Sequence, residues 1–272
     1  MASVATRVGA GDLDSRMELS GDPGDEVRVL GEEFNHMLDR LSEAFATQRK
    51  FVADASHELR TPLTVIRGQI EVLAAEPHPS AEEVRRVERL VQAEVGRLGR
   101  LVDDLLVLTQ ADRTDFLRPE PIELPTFVDE LWDGLSLTAE RRFEVGPVPA
   151  GTLLADPDRL AQALRNLGRN AIEHTDEGSG LVRLEVDQPG PNRIRFVVLD
   201  DGPGIPPAEF GRIFERFHRV DAARNRNSGG AGLGLAIVRA IVEAHGGQVH
   251  ASAGPNGRGA RLELMMSGFT AD

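Results

Sequence analysis

The longest regular pattern in this chain is a series of apolar residues at three- and four-residue steps. Its members are Leu30, Phe34, Met37, Leu41, Phe45, Phe51, Val52, Ala55, Leu59, Val65 and Ile66. This spacing places apolar side chains on one face of a helix. Because Pro77 and Pro79 interrupt the pattern, we expect one long helix from Leu30 to about Ala75.

A second amphipathic helix is predicted after that break. Ser80-Ala81-Glu82-Glu83 has the form of a capping box, which marks a helix start. The apolar seam behind it consists of Val84, Val87, Val91, Val95, Leu98, Leu101, Leu105 and Leu108. Two long helices joined by a short turn predict an antiparallel hairpin, and two copies forming a four-helix bundle would cover both seams. We therefore expect a homodimer; the alternative is that both helices pack on the rest of the same chain.

The sequence after Arg118 alternates strand and helix patterns. Pro119, Pro121 and Pro125 indicate a linker over residues 118–125. Strands are predicted at 152–155, 181–186, 194–199, 249–251 and 261–265, and helices at 156–173 and 233–245. The predicted fold class is therefore a helical hairpin that forms a dimeric bundle, followed by an α/β sandwich.

Composition excludes several classes of function. The net charge of −13 argues against nucleic acid as a partner, because phosphate backbones are bound by basic surfaces. The absence of cysteine excludes disulfides and thiolate chemistry, and it suits a reducing cytoplasm. No run of about 18 apolar residues could span a bilayer.

The string His57-Glu58-Leu59-Arg60-Thr61-Pro62-Leu63 lies inside the first predicted helix. Thr61 shares a helix face with His57, and Glu58 lies about 100° around the helix. A neutral imidazole can attack a phosphoryl group, and a neighbouring carboxylate can hold its other ring nitrogen. Taken alone, such a histidine is more often an ordinary surface residue.

A second candidate site is Asn166-Leu167-Gly168-Arg169-Asn170, inside a predicted helix. Asn166 and Asn170 are four residues apart, so both amides project from one face. Amide oxygens suit Mg²⁺, which keeps several waters and bridges phosphates. Two exposed amides are the alternative interpretation.

Two glycine-rich loops follow. In the first, Asp200 precedes Gly202 and Gly204, and its carboxylate could accept a hydrogen bond from the exocyclic amine of adenine. The same residues could also be a simple turn. The second loop, residues 229–234, leads into a helix, whose free N–H groups and dipole favour an anion.

The segment between these loops contains Phe214 and Phe217, which we interpret as apolar anchors of a mobile lid. Positive charge is supplied there by Arg216, Arg219, Arg224 and Arg226. This charge would lie beside the phosphate site, unless the segment is only a solvated basic loop.

In this order, the five segments resemble the phosphoacceptor, Asn, first glycine, Phe and second glycine boxes of sensor histidine kinases. The resemblance extends over residues 30–268. It implies an ATP-binding domain of the fold shared with Hsp90-type ATPases, Mg·ATP as phosphoryl donor and His57 as acceptor. It also implies an aspartate of a response regulator receiver domain as the final phosphoryl recipient.

Carried over by residue, the resemblance implies that Asn166 and Asn170 hold Mg²⁺, that Asp200 binds the adenine amine and that Arg219 binds phosphates. Glu58 would orient His57, and Thr61 would position water for phosphatase action on the regulator. The remaining nucleotide-binding positions are Gly202, Gly204, Gly230, Gly232, Leu233 and Gly234. Glu173 departs from the family pattern, because many relatives carry a basic residue there; its orientation is open.

The first 47 residues resemble the later part of a HAMP signal-relay module, through Gly11-Asp12-Leu13, Asp25-Glu26 and Phe34-Asn35-His36-Met37-Leu38. We thus expect domains at 1–47 (partial HAMP), 48–114 (dimerisation and phosphoacceptor) and 118–270 (catalytic). Because the first HAMP helix is nearly all missing, we expect that Met1 replaces a membrane anchor and sensor. The chain would then be the cytoplasmic portion of a membrane protein.

The predicted function is ATP-dependent autophosphorylation of His57 followed by phosphotransfer in two-component signalling. Two rivals remain: a nucleotide-gated clamp ATPase without phosphohistidine, and a silent dimeric scaffold. Only the kinase forms acid-labile, base-stable protein phosphate, and failure to bind ATP would favour the scaffold. A phosphatase-dominant member of the same family is a further alternative.

Overall fold

The structure is a computed structural model that describes residues 16–17, 26–111, 113–220 and 230–272. The predicted HAMP residues Gly11 to Leu13, the lid arginines Arg224 and Arg226, and Gly229 lie outside these ranges. The chain divides into two compact units, and the boundary falls between Thr61 and Pro62. No helix in the described ranges is long and apolar enough to cross a membrane.

Two long helices open the described part of the chain, as the apolar periodicity predicts. Helix α1 spans Glu26–Ala75 and contains Pro62 without ending there. Helix α2 spans Ala81–Gln110. The predicted capping box is present, because the Glu83 N–H donates to Ser80 Oγ (3.2 Å) and the Ser80 N–H donates to Glu83 Oε2 (2.8 Å).

In the first unit, a side chain of the HAMP-like string binds backbone. The Met17 N–H donates to Asn35 Oδ1 (2.8 Å), and Asn35 Nδ2 donates to the Met17 carbonyl (3.1 Å). One planar amide therefore satisfies both polar groups of a single residue, which an aliphatic side chain could not do. Arg16 forms a salt bridge of 2.6 Å with Asp39, which lies one helical turn after Asn35 on α1.

The structure corrects the predicted linker over residues 118–125. Strand β1 spans Glu120–Glu123, and helix α3 spans Leu124–Ser136. Strand β1 pairs antiparallel with β3 (Gly151–Ala155), and Pro121 is tolerated because β1 is an edge strand. Pro125 lies in the first turn of α3, where a missing N–H costs nothing.

The remaining elements are β2 (Arg142–Val145), α4 (Pro157–Glu173), β4 (Leu181–Gly190), β5 (Arg193–Asp200), α5 (Gly234–Ala244), β6 (Gln248–Ala253), β7 (Ala260–Ser267) and β8 (Phe269–Ala271). Short 3₁₀ turns occupy Pro207–Glu209 and Pro255–Gly257. The strands form a three-stranded sheet, β1-β3-β8, and a five-stranded sheet, β2-β4-β5-β7-β6. The β2–β4 pair is parallel, and the other pairs are antiparallel.

Helices α4 and α5 pack on the five-stranded sheet and on each other, and they form the core with it. Fully buried side chains include Leu160, Leu164 and Leu167 of α4 and Phe196 of β5. Gly168 of α4 allows α3 to pack closely against α4, because a β-carbon on Gly168 would lie 2.1 Å from a methyl carbon of Leu135. Packing on the sheet thereby fixes which face of α4 is left for a site.

Helix α2 also packs against α5, so the same-chain alternative for its seam holds in part. Its buried residues are Val87, Leu101, Val107 and Leu108. Other apolar side chains of α1 and α2 stay exposed, among them Leu30, Met37, Phe45, Val52, Leu63, Ile70, Val95, Val102 and Leu106. A considerable apolar surface on the two helices is therefore left uncovered by the described residues.

Candidate functional site

The phosphoacceptor string lies on α1, and His57 is exposed there. The Thr61 hydroxyl donates to the His57 carbonyl (3.2 Å), as their four-residue spacing allows. Thr61 is exposed, and Glu58 is half-buried. The imidazole is therefore accessible from solvent.

Asn166 lies on helix α4 and is buried. The residue is only 7% exposed, and the buried Nδ2 of its side chain has no hydrogen-bond partner among the described residues. Its Cγ lies 3.9 Å from where a β-carbon on Gly234 would be. A buried amide without a partner is costly, so this group is suited to a polar ligand between α4 and the second glycine loop.

The N-terminus of α5 is the other side of this space. The helix begins at Gly234, and Leu233, its N-cap residue, is buried and makes no side-chain capping bond. The first N–H groups of a helix lack intrahelical acceptors and carry a partial positive charge. Together with Asn166, they provide donors for an anionic ligand such as phosphate.

Asp200 ends strand β5 and is buried. Its Oδ1 accepts from the N–H groups of Gly202 (3.0 Å) and Ala260 (3.1 Å). Burial raises the pKa of the Asp200 carboxyl, and these two amide bonds oppose the shift. Because both bonds go to Oδ1, Oδ2 is the atom that could accept from an adenine amine.

Glycines allow the loop after Asp200 to lie close to two other segments. A β-carbon on Gly202 would lie 2.3 Å from the His174 carbonyl oxygen, just after α4. Gly204 has φ 79°, and a β-carbon there would lie 2.9 Å from the Gly259 carbonyl oxygen. The Asp200 loop is thereby joined to the C-terminal end of α4 and to the turn before β7.

Gly259 and Ala260 also help to form the site, although no motif in the sequence points to them. A β-carbon on Gly259 would lie 1.7 Å from the Asp200 carbonyl oxygen, and the Ala260 N–H fixes the Asp200 carboxylate. The glycine-rich run Gly254-Pro255-Asn256-Gly257-Arg258-Gly259 was the available signal. It indicates a tight turn but not which carboxylate lies beside it.

The later part of the segment between the glycine loops is held against the second loop. The Phe217 N–H donates to the Gly232 carbonyl (3.0 Å), and Arg219 Nη1 donates to the Gly230 carbonyl (3.2 Å). Phe217 has φ 62°, which is unfavourable for a residue with a side chain. The His218 ring Nε2 also lies 2.7 Å from Oε2 of Glu209, in the 3₁₀ turn Pro207–Glu209. Arg219 therefore lies beside the second glycine loop.

The orientation of Glu173, which the sequence left open, is resolved in the structure. Glu173 is exposed, yet its Oε2 lies 3.5 Å from where a β-carbon on Gly230 would be. The carboxylate therefore reaches the second glycine loop, on the side of the predicted phosphate site.

Comparison with known proteins agrees with these features. Residues 155–267 match the family described as "Histidine kinase-, DNA gyrase B-, and HSP90-like ATPase". Residues 47–114 match the His Kinase A (phospho-acceptor) domain, and residues 1–43 match the HAMP domain. The three matches follow one another along nearly the whole chain.

The chain is 36% identical over 264 residues to the probable sensor histidine kinase TcrY of Mycobacterium tuberculosis, covering 93% of this chain and 54% of TcrY. It is 37% identical to the histidine-protein kinase/phosphatase MprB of Mycolicibacterium smegmatis, covering 90% of this chain and 50% of MprB. It thus spans about half the length of both relatives.

Among solved structures, full-length ShkA in complex with AMPPNP has a TM-score of 0.56 and 32% identity to this chain. The match covers 82% of this chain and 46% of ShkA. The predicted fold class, a helical region followed by an α/β ATPase domain, is confirmed. The chain belongs to the sensor histidine kinases of two-component signal transduction.

Proposed function

We propose that this chain binds Mg·ATP, transfers the γ-phosphoryl group to His57 and then passes it to an aspartate of a response regulator. The observation that carries the proposal is the buried, unpartnered Nδ2 of Asn166 beside the uncapped first turn of α5. These donors lack hydrogen-bond partners within the described part of the protein, and the phosphate oxygens of a nucleotide would accept from them.

In this proposal, the two faces of the space between α4 and the glycine loops bind different parts of the nucleotide. Asp200 Oδ2 accepts the adenine amine, while the backbone of Gly230, Gly232, Leu233 and Gly234 donates to the phosphates. Arg219, next to Gly230, adds positive charge. Gly202 and Gly204 would face the base only through the backbone of the loop that they allow to pack against His174 and Gly259.

Asn166 and Asn170 are the residues that would hold Mg²⁺, through amide oxygens on one face of α4. The ion would neutralise charge on the phosphates during transfer.

His57 is the nucleophile. One neutral ring nitrogen attacks the γ-phosphorus, the bond from that phosphorus to the bridging oxygen breaks, and ADP leaves. Glu58 holds the other ring nitrogen and stabilises the positive charge that develops on the ring. The regulator's aspartate later displaces the imidazole from the same phosphorus.

Phosphatase action toward the phosphorylated regulator is the finer part of the proposal. MprB, whose name states both kinase and phosphatase, is 37% identical to this chain. Thr61, one helical turn from His57, would position the attacking water.

The partner of the helical region is a second copy of this chain. The apolar side chains that α1 and α2 expose would be covered in a four-helix bundle. Helix α1 is continuous from the HAMP-matching residues to His57, so it could carry a signal from a membrane-linked sensor to the phosphoacceptor on the cytoplasmic side.

Substitution of His57 by Gln tests the phosphoryl acceptor. We expect H57Q to abolish acid-labile, base-stable labelling from γ-³²P-ATP, because the nucleophilic nitrogen is lost, while fluorescent ATP binding is unchanged. The matched control is H36Q, which removes another exposed histidine of α1 and should label like the wild type. Labelling that survives in H57Q would show that His57 is not the acceptor. ATP turnover by the wild type without any labelling would favour the clamp ATPase.

A further inference from the structure

The face of α4 that carries Asn166 and Asn170 continues to a carboxylate. At about 100° per residue, positions 166, 170 and 173 lie within about 60° of one another around the helix. Glu173 is the last residue of α4 and is exposed. Two amides and one acidic group therefore follow one another along a single face.

This face lies beside both ends of the second glycine loop. A β-carbon on Gly234 would lie 3.9 Å from Asn166 Cγ, and one on Gly230 would lie 3.5 Å from Glu173 Oε2. Gly230 has no side chain to hold the carboxylate away from the loop backbone. Glu173 is thus next to the groups proposed to bind phosphate.

The negative charge of Glu173 acts differently on metal-free and metal-bound nucleotides. A carboxylate beside a triphosphate repels it. A divalent cation reverses the effect, because Mg²⁺ is readily bound by carboxylate and phosphate oxygens together. Arg219, which donates a hydrogen bond to the Gly230 carbonyl, attracts phosphate whether or not a metal is bound. It therefore cannot discriminate between metal-free and metal-bound nucleotides.

We propose that Glu173 makes the nucleotide site selective for metal-complexed nucleotides by repelling metal-free nucleotide anions. The inference rests on the proposed function, since it concerns the same nucleotide site. It assigns a specificity role to a residue that departs from the basic residue of many relatives.

The test compares nucleotide affinity with and without metal in the full chain. A fluorescent ATP analogue is titrated into the wild type and E173Q, first in excess Mg²⁺ and then in EDTA. We expect E173Q to bind the metal-free analogue about tenfold more tightly than the wild type does, because one repulsive charge is removed. In Mg²⁺ the two proteins should differ much less.

The matched control is E130Q, which removes the same charge from an exposed position on α3. For each protein, the affinity for the analogue in EDTA is divided by the affinity in Mg²⁺. If this ratio is the same in the wild type and in E173Q, the inference is overturned. An E130Q gain as large as that of E173Q would also overturn it, because the effect would then come from net charge. Absence of binding in Mg²⁺ in every variant would instead refute the nucleotide site itself.

Discussion

At the scale of single residues, Asp200 combines its proposed binding role with a cost to stability. Because burial raises the pKa of its carboxyl, the folded state disfavours the ionised form. The stability contributed by this group is therefore greatest below the ordinary carboxyl pKa of about 4 and is lost as pH rises through the folded pKa. Asparagine would keep an oxygen for the Gly202 and Ala260 amides but would present a donor to the adenine amine.

We therefore expect the affinity of D200N for ATP to be lower than that of the wild type by more than about tenfold. The variant should be at least as stable as the wild type at pH 7. Its advantage in melting temperature should shrink as the pH is lowered toward about 4. Nucleotide titration and thermal denaturation at two pH values measure both effects. A variant that melts well below the wild type at pH 7 would contradict this account of the carboxylate.

At the scale of elements, Asp156 joins the N-terminus of α4 to the segment that leads into β1. Its Oδ1 caps the helix by accepting from the Arg159 N–H (3.0 Å), and its Oδ2 accepts from the Arg118 N–H (2.8 Å). The Arg159 guanidinium also lies 4.5 Å from the centre of the buried Phe116 ring. The chain is therefore attached to the catalytic domain before β1 begins.

D156N should retain the cap, since Asn is a good N-cap residue, and lose the bond to Arg118, because an amide has one accepting oxygen. We expect a loss of about 1 kcal/mol in the free energy of unfolding and faster hydrogen exchange at the Arg118 amide. S80A is the control, because removing the α2 cap also costs about 1 kcal/mol but leaves Arg118 untouched. Unchanged Arg118 exchange in D156N would contradict the attachment.

At the scale of the whole molecule, the exposed apolar surface of the two long helices predicts self-association. Val95 lies on the predicted seam of α2 and is 56% exposed, which is unusual for an apolar side chain in such a seam. V95E should convert a dimer of twice the 29.5 kDa chain mass into monomers, because a carboxylate in an apolar interface is strongly unfavourable. Light scattering measures the mass.

The control for this experiment is Q92E, which adds the same charge at an exposed polar position of α2. It should remain dimeric. If V95E keeps the wild-type mass, or if the wild type is itself monomeric at micromolar concentration, the four-helix bundle does not use this seam.

Long elements with regular patterns were predictable from the sequence, because their hydrogen bonds and exposed faces depend on neighbours three or four residues away. Helices α1 and α2 and the Ser80 capping box are examples. Strands β1, β2 and β8 were not predicted, since segments of three or four residues show too little alternation and exist because a partner strand is present. Helix α3 was missed because Pro125, which belongs to its first turn, was interpreted as part of a linker.

The sequence by itself determined the chemistry available to this protein: a histidine on a helix, two amides on one helix face, a carboxylate before one glycine loop and a second glycine loop before a helix. Only the tertiary structure decided which of these groups meet. Ala260 binds Asp200 across 60 residues, and Glu173 reaches Gly230, because the sheet and its two helices bring together segments that are remote in sequence. Such approaches depend on how layers pack, which no local pattern encodes.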